Sequence, residues 1–145
     1  MTDVLVLRHA ETDADVMACF GVMQQLRPHL QSSEEFVARV ALQRTQGYRL
    51  LAVWDGDKPV ALAGYRRIDN LIHGRFIYID DLITDAAERG RGHGERLLDE
   101  LRTLGRADNS NRIVLDTALA NALAQRFYFR FGLLARGLHF SMDLQ

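Results

Sequence analysis

Cysteine is almost missing from this chain of 145 residues: Cys19 stands alone, so no intramolecular disulfide can form, and no four-residue Cys/His cluster offers a zinc site. Charge of one sign is missing too. Eighteen Lys and Arg face nineteen Asp and Glu, for a net charge of -1, which argues against nucleic acid or an anionic membrane as the main partner. No apolar run approaches the ~18 residues that suggest a spanning helix. No signal peptide precedes the polar Thr2-Asp3, and the expected compartment is the cytoplasm. Repeats, low-complexity stretches and linkers are absent. The length then predicts one domain over residues 1–145, large enough to bury a substantial core.

A Gly-Lys pair is also absent, which excludes a P-loop. What is present is Glu88-Arg89-Gly90-Arg91-Gly92-His93-Gly94-Glu95. Its glycines are spaced Gly-x-Gly-x-Gly rather than the Gly-x-Gly-x-x-Gly of a dinucleotide fingerprint. Glycines permit positive φ and let backbone amides approach a ligand closely, and a new helix adds unpaired N–H groups and a dipole that favours an anion. Arg89 and Arg91 can add charge-assisted hydrogen bonds to phosphate oxygens. A strand pattern over 76–84 precedes the glycines, and a helical pattern of Leu97, Leu98, Leu101 and Leu104 follows them. The unit reads as strand, anion loop, helix; the plain alternative is a Gly-rich turn that only caps the helix.

The remaining pattern predicts a strand at 4–7 and a helix starting at Thr12-Asp13-Ala14-Asp15 that carries Val16, Phe20 and Met23. Pro28 breaks it. Ser32-Ser33-Glu34-Glu35 reads as a capping box for a second helix with Phe36, Val37, Val40 and Ala41, ended by Gly47. Strands are expected at 48–54 and 60–65 around the hairpin Asp55-Gly56-Asp57-Lys58-Pro59. Residues 70–74 turn the chain into a strand at 75–84; a short strand at 112–116 and a last one at 133–142 complete the pattern.

Arg89-Gly90-Arg91-Gly92-His93-Gly94 resembles the pyrophosphate loop of the GNAT superfamily of acyl-CoA-dependent N-acetyltransferases, whose motif after a strand is Arg/Gln-x-x-Gly-x-Gly/Ala. Asn121-Ala122-Leu123-Ala124-Gln125-Arg126-Phe127-Tyr128-Phe129-Arg130-Phe131-Gly132-Leu133 is similar to the superfamily's later helix, with Asn, Phe-Tyr and Gly plus an apolar residue in matching places. The element order βααβββαβαβ agrees. Ala86 departs from the pattern, standing where many relatives carry proline.

The resemblance implies an α/β (α+β) fold with a mixed, mostly antiparallel sheet of about six to seven strands flanked by about four helices. It implies an N-acetyltransferase with acetyl-CoA as acyl donor, no metal, and a small-molecule or peptide amine as acceptor. The pyrophosphate would lie on Arg89, Gly90, Arg91, Gly92, His93, Gly94 and Glu95, and the pantetheine on the backbone of Leu82, Ile83 and Thr84. Asn121 resembles a CoA-contacting residue; a helix N-cap is its other reading.

Tyr128 is the candidate general acid for the leaving thiolate, because Asn121, Gln125 and Tyr128 share one helical face while Leu123, Phe127 and Phe131 form a core-facing stripe. A phenol of pKa near ~10 serves a thiol of pKa near ~8.5 only if transfer is coupled to bond cleavage or the site lowers the phenol. For the base, Asp80 occupies the place of an acidic residue in the spermidine/spermine branch, ahead of the loop arginine. Strand alternation is expected to point Asp80 and Asp81 to opposite faces. Arginine partners or a strand bulge would also account for the pair; Asp81, His139 and water remain the other candidate bases. Cys19, far from both motifs, gives no reason to expect an acyl-cysteine. A non-catalytic acyl-CoA-binding regulatory module is the alternative function. The oligomeric state stays open, including a homodimer in which the last strand exchanges between subunits.

Overall fold

The computed structural model describes residues 4–145, so the reading at Thr2-Asp3 lies outside the described residues. The elements run β1 (Leu5–His9), α1 (Asp13–Leu26), α2 (Ser33–Arg44), β2 (Tyr48–Asp55), β3 (Lys58–Asn70), β4 (Gly74–Thr84), a single 3-10 turn (Ala86–Glu88), α3 (His93–Ala107), β5 (Ile113–Leu115) and α4 (Ala122–Phe131). They fall into two compact units, one ending at Val114 and one spanning Leu115–Gln145.

Local chemistry fixes the boundaries of the first unit. Thr12 Oγ1 accepts the Asp15 amide at 3.1 Å and starts α1. Half of the capping box expected at α2 is formed: Ser32 Oγ accepts the Glu35 amide at 3.1 Å, while Glu35 Oε2 reaches past the N-cap and accepts the Gln31 amide at 2.9 Å. Asn70 Oδ1 accepts the amides of Ile72 and His73 at 3.0 and 2.8 Å, and Gly74 at φ +68° turns the chain from β3 into β4.

The sheet order is β1-β2-β3-β4-β5, with β1 to β4 paired antiparallel. On one face α1 and α2 bury Val16, Cys19, Met23, Phe36 and Val40 against Tyr48, Leu50, Ala52, Trp54 and Leu62. Such large apolar side chains each contribute about 1.5–3 kcal/mol when fully buried. Leu97, Leu98 and Leu101 of α3 are fully buried as well, and Gly105 lets that helix approach Ile77 of β4.

A bulge in β4 sets the geometry of the site. The β3–β4 ladder runs regularly from Asn70↔Gly74 to Tyr65↔Ile79 and resumes at Gly64↔Asp81, leaving Asp80 unpaired. Gly64 and Tyr65 are consecutive and face opposite ways, so Asp81 and Ile79 do as well, although two residues apart. The alternation expected for Asp80 and Asp81 is thereby corrected. Asp81 joins Gly64, the partner of core residue Leu50, on the α1–α2 face, and Asp80 reaches Arg66, the cross-strand partner of Tyr48 on that same face.

The strand expected at 133–142 is not formed, so the sheet has five strands rather than six to seven. Alternating apolar residues make a segment competent for pairing, but a ladder also needs a neighbour, and residues 133–145 have none among the described residues. In the same unit Leu123 is 79% exposed, so the stripe expected to face a core is only partly covered, with Phe127 and Phe131 half-buried.

Candidate active site

The loop after β4 is held from both sides. Gln25 of α1 donates to Asp85 Oδ1 at 3.3 Å and accepts the Ala86 amide at 2.9 Å, pinning the loop's entry to the helix layer. Gly90 and Gly92 adopt φ +78° and +79°, and nothing lies within 4 Å of where a Cβ would stand on either. Gly92 is the N-cap of α3 and no side chain caps that end, so the first amides of the helix are left for a ligand. Gly94 does not share the positive φ; it sits inside the first turn of α3.

The charged groups of the loop are sorted. Glu88 holds the Arg91 guanidinium at 2.7 Å, whereas exposed Arg89 has no ion pair among the described residues. His93 is buried at 3% exposure; its Nδ1 lies 3.1 Å from Arg96 Nη1 and its Nε2, which has no hydrogen-bond partner, is 3.9 Å from Glu88. Burial, with Arg96 beside it, holds the imidazole pKa below its usual value, so the ring stays neutral. Glu95 is exposed. A pyrophosphate fits this set: open space over two glycines, uncapped amides and one unengaged guanidinium.

Leu82, Ile83 and Thr84 are half-buried and pair with Ala63, Leu62 and Ala61. On the other edge of β4, the Ile77 amide donates to Arg112 O at 3.0 Å, and β5 has only three residues, so its ladder stops short of Leu82. The outer backbone edge of these three residues is therefore not used by β5.

At the bulge two carboxylates meet two arginines. Arg66 donates through Nε and Nη2 to the two oxygens of Asp80 at 2.9 and 2.8 Å, a bidentate pair that raises the arginine's own pKa. Arg27, just past α1, donates from Nε to Asp81 Oδ1 at 2.9 Å and from Nη2 to the Asp80 carbonyl at 2.8 Å. The buried Tyr48 hydroxyl donates to Asp81 Oδ2 at 2.8 Å, and burial together with that carboxylate pushes the phenol well above its ordinary value. Tyr48 therefore remains a proton donor in this network. The network depends on Gly64, since a Cβ there would collide with the Tyr48 hydroxyl and lie 2.7 Å from Asp81 Oδ2. Gly64→Ala is expected to destabilise the protein by about 1–3 kcal/mol through overpacking. Thermal unfolding followed by circular dichroism measures it; an unchanged Tm would show that Tyr48 can leave Asp81 at no cost.

In the second unit, Asn121 is the N-cap of α4: its side chain accepts the Ala124 amide at 3.1 Å. Gln125 donates to the carbonyls of Ala118 and Leu119 at 3.1 and 2.8 Å, so the polar face of α4 also fastens the preceding turn. Burial raises the Tyr128 phenol above its ordinary value, the opposite of the lowering that would make it a stronger acid. His139 Nδ1 lies 3.3 Å from Asp116 Oδ2. In the first unit Cys19 is fully buried and its thiol is pushed up to about 12, which removes it as a nucleophile.

The model of the acetyltransferase (GNAT) family matches residues 14–133. The chain belongs to the GNAT family. The chain is also similar to the uncharacterised N-acetyltransferase YhdJ of Bacillus subtilis (strain 168), 29% identical over 110 residues, covering 75% of this chain and 77% of that protein. Among solved structures, an acetyltransferase of Trypanosoma brucei matches with a TM-score of 0.80 at 20% identity, covering 97% of this chain and 100% of its own. The aminoglycoside N-acetyltransferase AAC(6')-Iy in complex with CoA matches with a TM-score of 0.84 at 13% identity, covering 100% of this chain and 98% of its own. At these identities the two structures establish the shared GNAT fold.

Several residues that organise this GNAT chain's site escaped the sequence pattern: Gln25 at the loop entry, and Arg27, Tyr48, Gly64 and Arg66 around the bulge. They come from α1, β2 and β3. The register of the bulged ladder brings Tyr48, Gly64 and Arg66 to Asp80 and Asp81, and the packing of α1 on the sheet brings Arg27 there and Gln25 to Asp85 and Ala86; no local spacing encodes either.

Proposed function

We propose that the protein transfers an acetyl group from acetyl-CoA to a primary amine of a small molecule or peptide, by direct attack within a ternary complex. The observation that carries this reading is the uncapped N-terminus of α3, opened by Gly90 and Gly92 directly after β4. There the pyrophosphate would be held by the first amides of α3 and by Arg89, and the pantetheine amides would pair with the outer backbone edge of Leu82 to Thr84. The inert Cys19 supports direct transfer over an acyl-enzyme.

Acetyl transfer forms a C–N bond to the acceptor and breaks the C–S bond of the thioester, so one proton must leave the amine and one must reach the sulfur. Asp80 is the proposed proton acceptor. Arg66 fills one lone pair on each of its oxygens and leaves the others for the ammonium. The amine, with a pKa near ~10.4 for a lysine-like group, needs only modest help at neutral pH. Tyr128 is the proposed donor to the sulfur, and its raised pKa makes that transfer concerted with C–S cleavage.

Release of the CoA thiol, followed across polyamines, aminoglycosides, amino acids and N-terminal peptides, tests the reading. Turnover with at least one primary amine is expected, whereas tight acetyl-CoA binding without thiol release would leave a binding module. With the best acceptor, Asp80→Asn is expected to lower kcat and to move the acidic limb of the pH–rate profile toward the amine's own pKa. An unchanged profile would transfer the base role to water.

A further inference from the structure

The two carboxylates at the bulge are already matched in charge. Arg66 holds Asp80 through Nε and Nη2 at 2.9 and 2.8 Å, and Arg27 holds Asp81 through Nε at 2.9 Å. Two negative groups meet two positive ones, so the pairs offer a polycation no net attraction. An acceptor with several ammonium groups would bring one toward a carboxylate and the others toward guanidinium groups.

Unused donors are what the pairs do offer. A guanidinium carries five N–H groups in a planar fork. Arg66 engages Asp80 with Nε and Nη2, and Arg27 engages Asp81 and the Asp80 carbonyl with the same two nitrogens, so Nη1 of each is bonded to no described residue. The Arg27 and Arg66 side chains are 41% and 32% exposed, against 13% and 20% for Asp81 and Asp80, so an acceptor reaches the guanidinium groups more readily than the carboxylates. The Tyr78 ring, 5.3 Å from Arg66 Cζ, steadies one face of that guanidinium.

Free lone pairs on Asp80 beside free N–H groups on Arg66 suit a molecule that carries an ammonium and a carboxylate side by side. An α-amino acid has both on one carbon. Laid antiparallel to the Asp80–Arg66 pair, it places ammonium against carboxylate and carboxylate against guanidinium, and the four charges alternate in sign around a ring. Arg66 need not release Asp80, because the ligand takes Nη1 while Nε and Nη2 keep their hold.

We infer that the acceptor taken at this site is an α-amino acid, its ammonium on Asp80 and its carboxylate on Arg66, with Nη1 of Arg27 as a second donor. The inference rests on the proposed acetyl transfer and narrows its acceptor, setting polyamines and aminoglycosides aside.

Matched trios of amino acid, amino-acid amide and decarboxylated amine, with spermidine alongside, test it on the full-length protein. CoA thiol release gives kcat/KM, and calorimetry in the presence of CoA gives binding. The amide lacks the negative charge that stabilises the neighbouring ammonium, so its amine is less basic, and without recognition of the carboxylate it would be the better acceptor. The acid is instead expected to exceed both its amide and its decarboxylated amine by at least ~10-fold in kcat/KM. Arg66→Lys keeps a cation beside Asp80 but loses the fork, and should bring that ratio toward one, whereas a merely structural change would lower all three substrates together. Turnover without preference for the acid, a preference for spermidine, or an unchanged ratio in Arg66→Lys would each overturn the inference and leave acetyl transfer standing. Selective binding of the acid without thiol release from any amine would uphold the ligand class and remove the transfer. If no amine is bound or acetylated, both fall.

Discussion

Tyr128→Phe is expected to lower kcat by about 10²–10⁴-fold while the KM for acetyl-CoA changes little. The ring that fills the half-buried space beside Phe127 is retained, and only the hydroxyl is lost. Because burial holds the phenol above its usual pKa, the proton is firmly bound at neutral pH, and in the proposed mechanism it would move to sulfur only as negative charge develops there. Two measurements check this. Steady-state kinetics with the best acceptor give the kcat loss, and replacing the thiol leaving group by one of lower pKa should shrink the difference between wild type and variant. A variant that turns over normally would make Tyr128 a packing residue and leave the thiolate to depart through water.

Gly92→Val is expected to abolish measurable acetyl-CoA binding, with affinity reduced by about 10²-fold or more. A β-branched residue at φ +79° pays a strain of the order of 1–3 kcal/mol. Its side chain would also occupy the open space over the α3 N-terminus, where backbone must approach phosphate. Isothermal titration calorimetry on a variant whose circular dichroism matches wild type measures the loss. Gly94→Val serves as the comparison, since Gly94 lies within α3 and lacks the positive φ. Full affinity in folded Gly92→Val would remove the loop from the cofactor site.

The parts of the molecule that were legible in the sequence are those fixed by neighbours in the chain. The Ser32 N-cap, the Gly56 hairpin, the Asn70 turn and the strand–glycine–helix unit each depend on a few consecutive residues, and all are present in the structure. What was not legible depends on pairing at a distance. Asp80 looked like one member of an alternating pair because alternation is a local rule, whereas the bulge is decided by how β4 aligns with Gly64 on β3. Arg66 and Tyr48 became visible as partners only through that register. Residues 133–142 looked like a strand for the opposite reason: their pattern meets every local requirement, and the missing ingredient is another chain segment to pair with.

The unpaired residue at the bulge also bears on how this chain can tolerate insertions and deletions. Removing Asp80 would set Ile79 beside Asp81, which already face opposite ways, so the ladder would close up into regular alternation with Asp81 still on the side of Tyr48 and Arg27 and Ile83 still against the α1–α2 core. What the deletion would take away is the extra carboxylate that meets Arg66. A deletion at any regularly paired position between Ile77 and Ile79 would instead leave the halves of β4 out of phase unless the bulge were lost with it. Asp80 is thus a residue that the sheet can spare and that only the site requires.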